Sequence, residues 1–136
     1  MVLDTNAWLD LLVFRDPRAA RLDQALQSGR VEAVTDDACR AEWQRVLDYP
    51  QLALPPDRRQ ALLVEFDRRS RPLGRRRAPR PLPRCADPDD QKFLELAWAC
   101  EAHWLVSRDH AVLALARRMQ RECGLAIVTP EQWKPR

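Results

Sequence analysis

The chain has 136 residues, of which 46% are hydrophobic, and its formal net charge is +3. This length predicts one domain, residues 1–136, with a true hydrophobic core, and the apolar content excludes a disordered chain. The apolar runs are shorter than the roughly 18 residues of a membrane helix, and no basic segment precedes a long apolar stretch, so we expect a cytoplasmic protein.

The numbers and spacing of histidine, cysteine and glycine residues exclude several kinds of binding site. Two histidines and four scattered cysteines, with no C-x-x-C pair, argue against a zinc site or a disulfide framework. The three glycines are far apart, so the chain has no glycine-rich loop for the phosphates of a nucleotide. Dinucleotide and nucleoside triphosphate chemistry are therefore not expected.

The first predicted element is a short buried strand that runs into Asp4. The apolar residues Met1 to Leu3 precede this carboxylate, and helical spacing begins at Ala7. Asp4 would then lie beyond the carboxyl end of a strand, where open α/β sheets bind ligands. The same residue could instead cap the helix, and if it binds a ligand, Thr5 or Asn6 would be the cap.

A helix predicted over about residues 36–48, capped by Thr35, carries a charge on its apolar face. Glu42 falls among residues spaced three and four apart that form the apolar stripe. A carboxylate on that face needs a partner, which would be an arginine such as Arg40 or Arg45 in an ion pair, or else a metal ion, unless Glu42 lies at the rim of the stripe.

A segment at about residues 71–86 is rich in proline and arginine and has no helical or strand periodicity. We predict a loop here. It is either a solvated connector or an arm that contacts a phosphate backbone. In the second case the residues that contact the phosphates would be Arg75, Arg76, Arg77 and Arg80.

An acidic motif, Asp87-Pro88-Asp89-Asp90, follows this loop and leads into a largely apolar helix. Asp87 with Pro88 is a good helix start, and Asp90 suits the positive end of the helix. Capping does not account for three carboxylates in four positions, because like charges repel unless a cation lies among them.

The last predicted unit is a strand at residues 104–106, a turn with Asp109, a helix and a final strand at residues 125–128. The alternation of strands and helices predicts an α/β fold, a three-layer α/β/α sandwich with a central parallel sheet of about four to five strands. Asp4 and Asp109 would share the carboxyl edge of that sheet. Glu42 and Asp90 would join them only if their helix and loop face the same edge. A group of carboxylates suits Mg²⁺ or Mn²⁺.

These motifs, in this order, resemble the acidic motifs of PIN domains, and the resemblance is greatest to the VapC-like ribonuclease toxins of toxin–antitoxin pairs. It implies a metal-dependent endoribonuclease that hydrolyses phosphodiester bonds of single-stranded or structured RNA with Mg²⁺ or Mn²⁺. The catalytic and metal-binding residues that it implies are Asp4, Glu42, Asp90 and Asp109. Asn6 and Ser107 match supporting positions, and Asp87 is a candidate further ligand, although capping is its preferred role.

The resemblance also implies partners, namely a small antitoxin and a second copy in a homodimer. Two features depart from the family pattern: the arginine-proline loop is unusually basic, and Trp8 is bulky. Two alternatives stay open. One is an RNA- or partner-binding module with a degenerate site. The other is a phosphatase that forms an aspartyl-phosphate on Asp4, although such enzymes would normally have a second aspartate where Asn6 stands.

Overall fold

Five short strands, all paired in parallel, form the centre of the computed structural model, which describes residues 1–74 and 81–135. One sheet has the order β1-β4-β5 and the other pairs β2 with β3. The two sheets meet at β1 and β2, where the Val34 N–H donates to the Met1 carbonyl at 2.9 Å. The strands are β1 Val2–Leu3, β2 Ala33–Thr35, β3 Ser70–Pro72, β4 Trp104–Val106 and β5 Ala126–Val128. The predicted α/β fold with a small parallel sheet is confirmed.

Helices connect these strands throughout the described residues. The α-helices are α1 Thr5–Leu12, α2 Ala20–Gln27, α3 Asp37–Leu47, α4 Pro56–Arg69, α5 Gln91–Ala99, α6 His110–Leu113 and α7 Ala116–Cys123. Short 3-10 helices precede α2, α4 and α5, at Pro17–Ala19, Pro50–Leu52 and Pro88–Asp90. Within residues 1–74 and 81–135, no helix is long and apolar enough to cross a membrane.

The apolar core lies on both faces of the sheet. Successive side chains of a strand point to opposite faces, and Val2 and Leu3 of β1 accordingly belong to two different core clusters. On one side Trp8 packs against Phe66, with ring centroids 4.7 Å apart, and Trp43 stacks on the same ring at 5.5 Å. Trp8, which departs from the family pattern, is therefore a core residue of this chain.

Two local predictions are wrong. Asp36, and not Thr35, caps α3, since its Oδ1 accepts a hydrogen bond of 2.9 Å from the Cys39 N–H. The predicted proline-arginine loop begins with a strand, because Ser70–Pro72 pairs with β2. No apolar alternation marks β3, which is held by its ladder to β2 and by an ion pair between Arg71 and Glu32.

Candidate metal centre

An acidic pocket of about 200 Å³ opens beyond the carboxyl ends of β1 and β4. Asp4 directly follows β1, and Asp109 comes three residues after β4. Because these strands are parallel neighbours, both side chains reach the same edge of the sheet. The pocket is lined by Asp4, Thr5, Asn6, Glu42, Val46, Asp87, Asp89, Asp90 and Asp109.

Asp4 is a helix cap and a pocket residue at the same time. Its Oδ1 accepts a hydrogen bond of 2.8 Å from the Ala7 N–H at the start of α1, so the predicted caps Thr5 and Asn6 are wrong. Its Oδ2 accepts a bond from the Ser107 hydroxyl. Burial raises the pKa of Asp4 to about 6, although these two hydrogen bonds oppose the rise. The burial of this carboxylate, which is only 2% exposed, disfavours its charged form, and a nearby cation would stabilise that form.

Ser107 connects the two strand ends. Its side chain is fully buried, and its hydroxyl oxygen accepts a hydrogen bond of 3.0 Å from the Asp109 N–H while the hydroxyl donates to Asp4. Asp109 in turn accepts a bond of 2.8 Å from the Ala111 N–H and so caps α6. One serine therefore fixes the relative positions of two carboxylate-bearing segments.

Three carboxylates converge next to Asp4. Oxygen atoms of Asp87, Asp90 and Asp109 lie within 4.8 Å of one another. Asp87 also accepts a hydrogen bond of 3.0 Å from the Asp89 N–H, which confirms its predicted capping role. Burial, followed by the charges of Asp109 and Asp87, raises the pKa of Asp90 to about 7.

This set of residues fits a hard divalent cation. The Oδ2 atom of Asp90 is buried and has no hydrogen-bond partner within the described parts of the chain. A metal ion would stabilise a buried carboxylate oxygen that has no donor and lies beside two further carboxylates. Oxygen donors alone suit Mg²⁺ or Mn²⁺, whereas zinc prefers nitrogen and sulfur ligands.

Glu42 lines the pocket but is held by two other side chains. One carboxylate oxygen accepts a bond from the Thr5 hydroxyl, and the other lies 2.8 Å from the ammonium nitrogen of Lys92. The ion-pair partner of Glu42 is therefore Lys92, and the predicted partners were wrong. Arg40 pairs with Asp67 instead, at 2.8 Å.

The sequence reasoning missed Thr5 and Lys92 as members of the site. Lys92 follows the buried Gln91 and precedes the buried Phe93 on α5. A lysine between buried neighbours at the start of an apolar helix is the sequence signal that could have found it. Thr5 follows Asp4 directly, but nothing in its sequence position indicates a bond to a residue 37 positions away.

Of the remaining predicted residues, only Asn6 is a described residue of the pocket lining. Asn6 is exposed. Arg108 precedes Asp109, yet its guanidinium bonds to Asp10 at 2.5 Å and to Glu131 at 2.7 Å. The four predicted RNA-binding arginines lie outside the described residues: Arg75, Arg76, Arg77 and Arg80.

Comparison with known proteins identifies the family of this chain. No curated protein and no solved structure matches the chain. Residues 1–111 match a family model described as a PIN domain. PIN domains are generally metal-dependent nucleases, and the three converging carboxylates could bind such a metal. Because the match covers well over half of its length, the chain belongs to the PIN domain family.

Proposed function

We propose that this PIN domain is a Mg²⁺- or Mn²⁺-dependent endoribonuclease that hydrolyses phosphodiester bonds of single-stranded or structured RNA. The observation that carries the proposal is the convergence of Asp87, Asp90 and Asp109 beside the buried Asp4, with one buried oxygen of Asp90 left without a donor in the described residues. A metal ion at such a site would polarise the phosphodiester and lower the pKa of an attacking water.

The chain's own residues would hold and orient these groups. Asp87, Asp90 and Asp109 would hold the metal ion through their carboxylate oxygens. Asp4 is fixed by the Ala7 N–H and the Ser107 hydroxyl, so its carboxylate needs no reorganisation when a cation approaches. Glu42 completes the acidic lining of the pocket.

The basic segment would supply contacts to the RNA backbone. We assign this role to Arg75, Arg76, Arg77 and Arg80 because clustered arginines bind phosphates independently of base sequence. The attachments of the flanking residues support the assignment. Before the segment, the Leu73 N–H donates to the Thr35 carbonyl at 2.8 Å; after it, the Cys85 N–H donates to the Gln91 side chain at 2.8 Å. Thr35 lies just before α3, the helix that carries Glu42, and Gln91 is the first residue of α5, the helix that follows Asp90.

The resemblance to VapC-like proteins supports a more specific role. We propose that the protein is the toxin of a toxin–antitoxin pair, that it acts in the cytoplasm, and that its partners are a small antitoxin and a second copy of itself. A short reading frame next to its gene, whose product co-purifies with it and suppresses cleavage, is the expected finding.

Cleavage of an end-labelled single-stranded RNA tests the enzymatic proposal. We expect cleavage by the wild type with Mn²⁺, none with EDTA, and a loss of at least 100-fold, on the order seen for removal of an electrostatic group in an active site, for Asp4→Asn and Asp90→Asn. Asp57→Asn, an exposed change at the start of α4, is the matched control and should cleave normally. Cleavage that persists in EDTA, or in both site variants, would contradict the proposal.

The same assay separates the alternatives. RNA that is bound without metal and never cut would favour a binding module with a degenerate site. The geometry does not favour an aspartyl-phosphate on Asp4, because both of its carboxylate oxygens already accept hydrogen bonds.

A further inference from the structure

Lys92 places a fixed positive charge beside the acidic pocket. Its ammonium nitrogen lies 2.8 Å from Glu42 and also donates to the Asp89 carbonyl, and both Glu42 and Asp89 line the pocket. The nitrogen lies 5.0 Å from the centroid of the Phe93 ring. The Lys92 side chain is 20% exposed, so it is largely immobilised but still open to solvent.

One N–H of this ammonium is left over. A lysine ammonium has three donors, and within the described residues two of them are used, by Glu42 and by the Asp89 carbonyl. The third remains available to a molecule that approaches the ammonium from solvent beside the pocket. Because two protein bonds already fix the side chain, little additional conformational entropy is lost in that contact.

Two arginines close in sequence to pocket residues are engaged by other side chains. The guanidinium of Arg108 is engaged by Asp10 and Glu131, and that of Arg40 by Asp67. In residues 1–74 and 81–135, Lys92 is the one lysine or arginine that forms an ion pair with a residue of the pocket lining.

An anionic substrate needs such a cation. Six carboxylates line the pocket, and a single divalent ion offsets only two negative charges. A phosphodiester that approaches the remaining charges is repelled by them, and a positively charged donor of the protein beside the pocket reduces this repulsion.

We propose that Lys92 is a phosphate-binding residue: its ammonium, held in place by Glu42 and the Asp89 carbonyl, donates its remaining N–H to a non-bridging oxygen of the substrate phosphodiester. This inference rests on the proposed nuclease function and adds a residue to it. The two roles differ in what they predict: a structural ion pair acts only through Glu42, whereas a phosphate-binding lysine changes the affinity for the nucleic acid and its dependence on salt.

The two lysines of the chain, Lys92 and Lys134, allow a charge-matched test. Lys92→Met and Lys134→Met each remove one positive charge, whereas Lys92→Arg retains it. Binding of a labelled single-stranded RNA is measured with Ca²⁺ in place of Mg²⁺ over a series of salt concentrations, with the integrity of the RNA checked on a gel. A single-stranded DNA of the same sequence is titrated in parallel, and Mn²⁺ binding to each variant is measured by calorimetry.

We expect Lys92→Met to weaken RNA binding on the order of tenfold at low salt, as for loss of one charged hydrogen bond. The slope of log K against log salt should fall by about 0.7, the value for one phosphate contact on a single strand. Lys134→Met should keep the wild-type slope, and Lys92→Arg should retain most of the affinity. Mn²⁺ affinity of Lys92→Met should be unchanged or higher, because a positive charge near the carboxylates has been removed.

Other results would overturn the inference. If the slope of log K against log salt is the same for Lys92→Met and the wild type, Lys92 does not contact a phosphate. If Lys92→Met and Lys134→Met lose the same RNA affinity, the effect comes from the net charge of the protein and not from a specific contact. A loss of Mn²⁺ affinity that matches the loss of RNA affinity would mean that Lys92 acts only through Glu42. If Lys92→Met does not fold, Lys92→Gln is measured in its place.

The parallel probes separate this inference from the nuclease proposal. Wild-type protein that binds DNA but not RNA, with a slope that depends on Lys92, would contradict the ribonuclease and support the phosphate contact. Wild-type protein that binds neither strand would overturn both.

Discussion

The hydroxyl of Ser107, just after β4, donates a hydrogen bond to a carboxylate oxygen of Asp4, just after β1, although 103 residues separate them in the chain. The same hydroxyl oxygen accepts the Asp109 N–H at 3.0 Å. The serine therefore couples the buried carboxylate at one strand end to the turn that carries the next one. Its role in the site is geometric, and it can be tested by removing the hydroxyl alone.

Replacement of Ser107 by alanine should impair both stability and catalysis. It leaves Asp4 Oδ2 buried without a donor, which we expect to cost about 1–3 kcal/mol of unfolding free energy at neutral pH. The pKa of Asp4 should rise further, since the Ser107 bond is the largest contribution that lowers it. Urea unfolding and RNA cleavage measure the two effects. Ser107→Thr keeps the hydroxyl and should retain both; if Ser107→Ala behaves like wild type, the bond has no role.

Replacement of Asp90 by asparagine should stabilise the metal-free protein and abolish its response to metal. Oxygens of Asp87 and Asp109 lie within 4.8 Å of a carboxylate oxygen of Asp90, so a neutral amide removes repulsion and adds a donor. In EDTA at pH 8 we expect Tm to rise by about 2–5 °C, as for a gain near 1 kcal/mol. Saturating Mn²⁺ should then add nothing, whereas it should raise the Tm of the wild type.

The control for this experiment is Asp57→Asn, which should not raise the Tm in EDTA, because its charge lies in the first turn of α4 and favours the helix, and which should keep the full shift with Mn²⁺. A lower Tm for Asp90→Asn in EDTA would mean that the charge of Asp90 stabilises the apo fold, contrary to the geometry.

Stability of the metal-free protein should increase as the pH falls from 8 to 5. The folded-state pKa values of Asp4, about 6, and Asp90, about 7, lie above the ordinary value of 3.8. A raised carboxyl pKa contributes stability that is fully present below the unfolded value and is lost as the pH rises through the folded value. Thermal unfolding in EDTA across this range measures the slope. Saturating Mg²⁺ should flatten or reverse it, because the ion binds the ionised carboxylates.

The surface ion pairs should not mask this dependence. Arginine partners hold the pKa values of Asp16 and Glu131 near 2, so these groups titrate well below pH 5. The buried amino terminus opposes the dependence, because burial lowers the pKa of the Met1 amine below its ordinary value and the stability tied to that shift is lost as the pH falls. The wild type is therefore compared with Asp90→Asn, in which the gain in Tm between pH 8 and 5 should be smaller. Equal changes in the two proteins would show that Asp90 is not one of the groups that titrate.

The sequence was sufficient to predict those parts of the site that depend on sheet topology. Asp4 and Asp109 follow apolar strands, and parallel pairing of β1 with β4 brings them to one edge. Helix periodicity placed Glu42 toward the core, but its partner Lys92 lies 50 residues away, and only tertiary packing brings the two together. The strand β3, Ser70–Pro72, escaped prediction because its stability comes from its neighbour β2 and not from its own side chains.

The residue that caps a helix is also hard to predict from the sequence alone. Thr35 and Asp36 are both good N-cap residues, and sequence alone does not decide between adjacent candidates. The backbone conformation determines which residue is the cap. Because Thr35 is the last residue of β2, Asp36 becomes the cap and α3 begins at Asp37.

The final prediction concerns Gln91, whose buried side chain joins the end of the arginine-proline segment to α5 by hydrogen bonds. Its amide oxygen accepts the Cys85 N–H at 2.8 Å, and its amide nitrogen donates to the Pro83 carbonyl at 3.1 Å. Gln91→Ala leaves both backbone groups buried and unpaired, so we expect a loss of about 1–3 kcal/mol in unfolding free energy. Gln91→Glu can still accept from Cys85 but cannot donate to Pro83, and it places a charge near Glu95, which lies 3.4 Å from the present amide nitrogen.

Hydrogen exchange at the Cys85 amide distinguishes the two variants. Protection should be lost in Gln91→Ala and largely kept in Gln91→Glu, while urea unfolding should show both to be less stable than the wild type. Gln60→Ala, an exposed change on α4, controls for the loss of a glutamine and should alter neither measurement. If the segment carries RNA-binding arginines, as proposed, Gln91→Ala should also weaken RNA binding while Mn²⁺ affinity stays constant, because the anchor of the basic segment is lost and the carboxylates remain. Unchanged Cys85 protection in Gln91→Ala would show that the segment is held by other contacts.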